Sequence, residues 1–506
     1  MGRETNVLEW LDRAAAETPD APAVSDENER LTYTQLAERV ARIGTAVSRA
    51  LNGTMREPVG VFAGRDAASL CCMLGIVASG NFYVPIDDAQ PQGRIDAILN
   101  QMQPAAIIAP TGQLPEGIEL PADLPLLSGA DLAAVDADTS LLAGVRAQSR
   151  DTDPLYAICT SGSTGVPKGV LIGHRSVLDF IPVFAETFGF DANERFANQA
   201  PFDFDVSVKD IYTTLFAGAS LHIVPKQCFV MPNTLMDVLE EERITTVVWA
   251  VSALCVVATL QAFDYRVPTH LKKILFSGEV MPIKMLNAWR AHYPDALFVN
   301  LYGPTEITCN CMYYVIDRDF EPGEKLPLGV AFPNEGILVL GEDGCPVGPG
   351  ETGEICVVGT CLALGYYRDP ERTAAAFVQN PLNNAYPERM YRTGDLAQLA
   401  DDGEYYYTAR KDFQIKHMGH RIELEELELN IMAVEGIERA CCIFNLTTNK
   451  IVAFYEGDVT VPELVKELKQ RLPKYMVPNV FQKLEHLPIS KRGKVDRAYL
   501  RSLLEK

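Results

Sequence analysis

The sequence predicts an α/β fold: a large N-terminal domain of mixed sheets with flanking helices, a small β-region closing it, and a small α+β C-terminal domain. Three observations lead there. Strand-like apolar runs alternate with helical patterns through most of the chain, which argues for largely parallel sheets. From about Val330 the texture changes to short β-rich runs broken by Asp-Gly and Pro-Gly turns. After "ARKDFQIK", about ninety residues mix helix and hairpin patterns, enough for a separate domain.

Each element follows from its own pattern. Leu36, Val40, Ile43 and Val47 fall at helical spacing within Leu31 to Leu51. "PVGVFAGR" reads as a strand, "AASLCCMLGIVASG" as a helix ending at Gly80, and "FYVPID" as a strand. "PQGRIDAILNQMQPAAIIAP" is a helix leading into a strand, and the pattern returns at "TTVVWAV" and "LKKILFSGE". In the last part, "IELEELELNIMAV" reads as a helix and "ERACCIFNLTTNKIVAFYE" as a hairpin. "VPELVKELKQRL" is an amphipathic helix with Val461, Leu464, Val465, Leu468 and Leu472 on one face.

Length and composition narrow the classes. A chain of 506 residues, 47% of them hydrophobic, exceeds what one core serves. We place domains at 1–411 and 412–506, dividing at Asp412. A formal net charge of −22 argues against non-specific nucleic-acid binding, which needs a cationic footprint. Twelve cysteines without a CxxC pair, and seven histidines without HExxH, offer no zinc framework and suit a reducing compartment. The N-terminus lacks a signal pattern, and no run of about 18 apolar residues is present, so a cytoplasmic protein is expected.

The chemistry concentrates in "TSGSTGVPKG", Thr160 to Gly169, which follows the apolar run Leu155 to Cys159. Hydroxyls, backbone N–H groups and a lysine can wrap polyphosphate oxygens. The stretch is not GxxxxGK[ST], because Pro167 and Gly169 stand where that motif needs an N–H and a magnesium-binding hydroxyl. Downstream come "FDFDVSVKD" at Phe202, "LYGPTE" at Leu301, "YRTGD" at Tyr391, "ARKDFQIKHMGHRIELEE" at Ala409 and "GKVDR" at Gly493.

With these motifs in this order, the sequence resembles, end to end, the adenylate-forming enzymes: acyl-CoA synthetases, luciferases and adenylation domains of non-ribosomal peptide synthetases. It is most similar to the amino-acid-activating branch, and "GEVMP" and the Ala409 motif resemble stand-alone D-alanine–carrier-protein ligases. The usual glycine before Arg410 is Ala409 here. The resemblance implies two half-reactions. A carboxylate attacks the α-phosphate of ATP to give an acyl-adenylate and pyrophosphate. A thiol then displaces AMP.

For the nucleotide, the resemblance implies Thr160, Ser161, Ser163, Thr164 and Lys168 on the phosphates, Thr305 on the α-phosphate, and Glu306 on Mg²⁺. Asn300 would read the adenine amino group, Tyr302 would stack, and Asp395 would take the ribose hydroxyls with Arg410 nearby. Lys494 would bridge the substrate carboxylate and the α-phosphate, a mobile cation for charge that builds in the transition state. The C-terminal domain would be mobile about Asp412. After rotation, the "KHMGHR" loop would replace Lys494, and Gly419 would let a pantetheine arm pass.

Asp205 matches the aspartate that binds a substrate ammonium; it could also cap a helix starting at Val206. The remaining implied pocket is Val206, Lys209, Leu254, Leu275, Ser277, Leu301, Cys309 and Asn310. With Lys209 narrowing it, a small neutral or polar amino acid is favoured; with Lys209 facing inward, an acidic side chain is the alternative. A separate carrier protein is the expected acceptor, with no carrier segment after the last helix, and an acyl- or aryl-CoA ligase using free coenzyme A is the runner-up. His174 is read as structural.

Overall fold

The structure, a computed structural model, describes residues 4–162, 166–321, 323–445, 448–489 and 495–504. Ser163, Thr164 and Lys494 lie outside the described residues.

Two large sheets form the N-terminal part. One runs through Pro154–Thr160, Phe82–Ile86, Pro58–Phe62, Ala106–Ala109 and Leu126–Ser128 in parallel, with Lys168–Gly173 added antiparallel. The other carries Leu297–Tyr302, Lys273–Ser277, Thr246–Ala250, Arg195–Asn198, Ser220–Ile223 and Pro22–Ser25 in parallel, with antiparallel edges. Strands such as Pro58–Phe62 and Phe82–Ile86 are buried along their whole length, which is why they read as continuous apolar runs rather than alternations.

The helices follow their sequence signals. Helix Tyr33–Ala50 starts in a capping box between Thr32 and Gln35 and buries Leu36, Val40, Ile43 and Val47 as its spacing predicts. Helix Ala67–Ala78 is apolar all round and almost wholly buried between its neighbours.

The β-region is an antiparallel sheet of Glu335–Leu340, Thr352–Gly359, Arg389–Leu399 and Phe377–Gln379, with Tyr405–Arg410 on Arg389–Leu399. Its register sets Asp395 opposite Arg410. After Arg410 the chain forms a two-stranded hairpin, Gln414–His417 with His420–Glu423. The helix expected from Ile422 begins at Leu424, because residues 420–423 pair as a strand instead. Met418 and Gly419 both take positive φ, the backbone a tight two-residue hairpin requires.

The last hydrophobic cluster draws only on residues beyond Gln414, among them Ile422, Leu427, Cys442, Leu464 and Leu468. The N-terminal clusters use none of these. No helix among the described residues is long and apolar enough to cross a membrane.

Candidate functional site

Many of the predicted site residues line one cleft between the sheets of the N-terminal part and the hairpin at 414–423. Thr160, Ser161, Asp205, Val206, Ser277, Thr305, Cys309, Asp395, Arg410 and Gly419 all line it.

The expected phosphate loop joins two strands that pair antiparallel, with Thr160 opposite Lys168. This differs from a strand–loop–helix phosphate site, and it explains why Pro167 is tolerated. At Gly162 an added Cβ would lie 2.2 Å from the Val166 carbonyl oxygen, so the turn demands glycine. The Thr160 hydroxyl is buried without a hydrogen-bond partner, a group placed to meet a ligand oxygen.

Glu306 anchors the charged end of the cleft. It sits on a single 3-10 turn, Thr305–Ile307, directly after strand Leu297–Tyr302. Its carboxylate is fully buried and meets Arg421 at 2.7 and 2.9 Å, Lys168 at 3.4 Å and the Tyr366 hydroxyl at 2.8 Å. Burial alone would raise its pKa, but Arg421 and Lys168 hold it well below the usual carboxylate range. Burial pushes the Lys168 ammonium down to about 8, with Arg421 adding to the drop.

The nucleoside-side residues form a connected set. Tyr302 donates its hydroxyl to Asp395 at 2.7 Å, and Arg410 donates to the other Asp395 oxygen at 2.7 Å. Arg410 also holds Asp412 at 2.6 and 2.8 Å, so Asp395, expected at the ribose, and Asp412, the expected hinge residue, share one guanidinium. Asn300 donates to the Pro327 carbonyl at 2.9 Å, which leaves its amide oxygen as the acceptor for an amino group.

At the other end, Asp205 stands before helix Val206–Ala217 but makes no side-chain cap bond. Its backbone is already α-like, so the carboxylate turns to the cleft instead, where Thr305 hydrogen bonds it. Burial raises its pKa, opposed by Lys209 and Thr305. Lys209 is buried and donates to Asn310 Oδ1 at 2.6 Å and to Ser277 Oγ at 3.3 Å. Cys309 donates its thiol to the Asp205 carbonyl at 3.1 Å. Thr308 and Cys309 both have positive φ, an uncommon backbone that turns Cys309 and Asn310 toward this pocket. Leu275 and Leu301 are core residues rather than cleft wall. Leu254 belongs to a different cluster, where its carbonyl accepts from the Trp289 indole.

The hairpin reaches over the whole cleft. Gly419 N–H donates to Glu279 at 2.8 Å, and the Lys416 ammonium lies 5.9 Å from the Tyr302 ring centroid. His420 stacks on Tyr475 at 3.4 Å and meets Phe204 edge-on at 4.5 Å. His174 is buried with its Nδ1 accepting from the Val7 N–H, a structural role.

Sequence reasoning gives no role to Tyr366, Glu426 and Arg94, and it treats Lys416, His420 and Arg421 only as parts of the loop that would replace Lys494. Four of these lie inside the "ARKDFQIKHMGHRIELEE" motif. Their charges are visible in the sequence; which loop they meet is not, because that depends on how the hairpin folds back.

The cleft thus brings together the turn that demands glycine at Gly162, a buried carboxylate with cations around it, and an aspartate held by Tyr302 and Arg410. The chain belongs to the AMP-binding enzyme family, whose model matches residues 11–367; it is an ATP-dependent, AMP-forming ligase. It is 33% identical over 98% of both chains to a D-alanine–D-alanyl carrier protein ligase of Lacticaseibacillus casei. It is 31% identical over 96% of its length to part of tyrocidine synthase 3 of Brevibacillus parabrevis, covering 7% of that protein. Among solved structures, it is similar to holo-PA1221, an NRPS protein containing adenylation and PCP domains, with a TM-score of 0.84 and 25% identity over 98% of this chain and 84% of that one.

Proposed function

We propose that this protein activates a small, neutral-to-polar amino acid with ATP and magnesium, then passes it to the phosphopantetheine thiol of a carrier protein. Asp205 is the observation that bears the reading: a partly buried carboxylate at a helix start that makes no side-chain cap bond and lines the cleft. A buried charge of this kind needs a cationic partner, which a substrate ammonium supplies. The relatives named for carrier-protein loading point the same way.

In the first half-reaction a substrate carboxylate oxygen attacks the α-phosphorus, and the bond to the bridging oxygen breaks as pyrophosphate leaves. The step joins two anions, so positioning and charge neutralisation matter more than proton transfer. Thr305, Lys168 and the Thr160 and Ser161 hydroxyls fit the phosphates, and Lys494 supplies the cation at the α-phosphate. Glu306 fits magnesium: it is buried and stays ionised, and among the described residues no group of three or more His, Cys, Asp or Glu gathers. One carboxylate completed by phosphate oxygens suits that ion, which when bound neutralises phosphate charge. In the second half-reaction the thiolate sulfur attacks the carbonyl carbon, and the carbon–oxygen bond to AMP breaks. The domain boundary at Asp412 belongs to this reading; the observed placement of the hairpin over the cleft suits the second half-reaction.

Lys209 decides the side chain. Its ammonium is taken up by Asn310 and by Ser277, which lines the cleft, so it is already satisfied within the protein and need not pair with a substrate side chain. The test is amino-acid-dependent exchange of labelled pyrophosphate into ATP across D- and L-alanine, glycine, serine, aspartate, glutamate and aryl acids. Exchange led by small neutral amino acids supports the reading. Exchange led by acidic amino acids overturns the side-chain assignment, and exchange led by aryl or fatty acids overturns the whole.

A further inference from the structure

Outside the cleft, one carboxyl group is buried without compensation. Glu335 opens strand Glu335–Leu340, is 9% exposed, and has no hydrogen-bond partner at either carboxyl oxygen. Among the described residues, the titratable groups around it are Asp179 on helix His174–Phe188, Cys361 just after strand Thr352–Gly359 and Cys311 just before strand Met312–Val315; none is a cation. An added Cβ at Gly359, its cross-strand partner, would lie 2.6 Å from Oε2, so the carboxyl rests directly on that backbone. Burial pushes its pKa up to about 8; the Cys361 thiol opposes the rise and the Asp179 charge adds to it.

The backbone under Glu335 leads into the cleft. Residues 361–366 brace the turn that carries Thr305, Glu306, Cys309 and Asn310. The Cys361 carbonyl accepts from the buried Thr308 hydroxyl at 2.7 Å, the Ala363 N–H donates to the Glu306 carbonyl at 2.9 Å, and the Tyr366 hydroxyl meets the Glu306 carboxylate at 2.8 Å. Thr308 has positive φ, a backbone that persists only where its surroundings hold it. On the far side, Asn334 and Thr360 both donate to Asp179, which fixes the chain on either side of Glu335.

We propose that Glu335 is a positioning residue for amino-acid activation: as a neutral acid it packs on residues 359–361 and holds them against the turn at 305–310. Ionisation, in which the carboxyl O–H gives its proton to a buffer base, sets a second negative charge near Asp179 and loosens the brace. This rests on the reading that places nucleotide and amino acid on that turn. The raised pKa belongs to the braced arrangement. That arrangement is fully favoured below about pH 4.5, the ordinary glutamate value, and loses ground about tenfold per pH unit above it. It loses no more above about pH 8, where the carboxyl is ionised with or without the brace.

Glu335→Gln keeps the shape and has no proton to lose. In pyrophosphate exchange, the KM values for ATP and for the amino acid should both rise in the wild type relative to the variant. The expected rise is at least about fivefold between pH 6 and 8, the lower end of typical coupling between sites, and flat beyond. Lys168 titrates in the same range in both proteins, so the ratio between them is the readout. Difference infrared spectra across this range should show a carboxylic-acid band that the wild type loses and the variant lacks. Glu335→Met, equally uncharged, must agree with Glu335→Gln in both measurements. A flat KM ratio overturns the proposal, even if the melting temperature follows pH, because Glu335 is then merely structural. A wild-type spectrum without that band overturns it as well. A wild-type protein without amino-acid-dependent exchange instead overturns the reading beneath, and the proposal with it.

Discussion

The two ends of the cleft handle buried charge in opposite ways. At the phosphate end every ion has its counter-ion in the chain: Glu306 has Arg421 and Lys168, and Glu426 has Arg94. At the other end partly buried Asp205 and buried Lys209 favour each other's charge without a direct ion pair, and their hydrogen bonds go to neutral groups, Thr305 for one and Asn310 and Ser277 for the other. An ion pair removed at one partner leaves a stranded buried charge, so the first end is costly to disturb and self-contained. On the proposed reading, a substrate ammonium completes the second. A site that changes partners between two steps needs both: one end whose ligands can be exchanged for protein groups, and one that only substrate completes.

The largest effect expected tests the phosphate end in the first half-reaction. Lys494→Ala should lower pyrophosphate exchange by roughly 10²–10³-fold, the usual cost of removing one group that acts on developing charge. Transfer from a supplied adenylate should survive much better. Equal losses in both assays, in a variant shown to be folded, would place Lys494 outside the first step.

Asp205→Asn tests the amino-acid end. Truncating one partner of a buried charge pair costs about 2–5 kcal/mol, so kcat/KM for the amino acid should fall at least thirtyfold. The KM for ATP should hardly move, because the phosphate end is complete without Asp205. A matching rise in the KM for ATP would mean the two ends are not separate.

The fold was largely legible in the sequence, because its strands and helices are marked by apolar runs and by local signals such as the Thr32–Gln35 capping box. Many residues that line the cleft lie in the ordered motifs, whereas Leu254, Leu275 and Leu301 belong to the cores instead. Two kinds of feature were not legible. Whether Asp205 caps its helix turns on its backbone, which is α-like and makes no side-chain cap bond, a feature that leaves no mark in the sequence. The ligation of Glu306 by Arg421 joins residues 115 positions apart. It depends on the hairpin turn at Met418 and Gly419 and on the placement of a whole domain, which local patterns do not encode.

His420 offers a smaller, pH-dependent test of the cover over the cleft. Burial drives its pKa down to about 3, and the nearby His417, Lys226 and Arg65 add to the shift. Because the lowered value belongs to the covered arrangement, that arrangement is fully favoured above about pH 6.5, the ordinary histidine value. It loses ground steadily as pH falls from there toward 3. At pH 5.5 the covered state should be roughly tenfold less populated relative to an arrangement that exposes the ring. The transfer step should therefore weaken between pH 7 and 5.5 more than exchange does. His420→Phe, which keeps the stack on Tyr475, should flatten the difference. An unaltered pH profile in that variant would remove His420 from the cover.

Lys209 carries the smallest expected effect and the sharpest test of the incomplete end. If its ammonium only closes the pocket floor, Lys209→Ala opens space while Asp205 still receives the substrate ammonium. Larger neutral side chains should then gain about 0.8 kcal/mol for each methylene newly buried, close to fourfold in kcat/KM per methylene. Alanine and serine should lose little. The opposite pattern is equally specific. If wild-type exchange is led by aspartate or glutamate and Lys209→Ala abolishes it, the lysine leaves Asn310 and Ser277 to pair with a substrate carboxylate. Both charges of the amino-acid end would then be completed by substrate, Asp205 by its ammonium and Lys209 by its side chain.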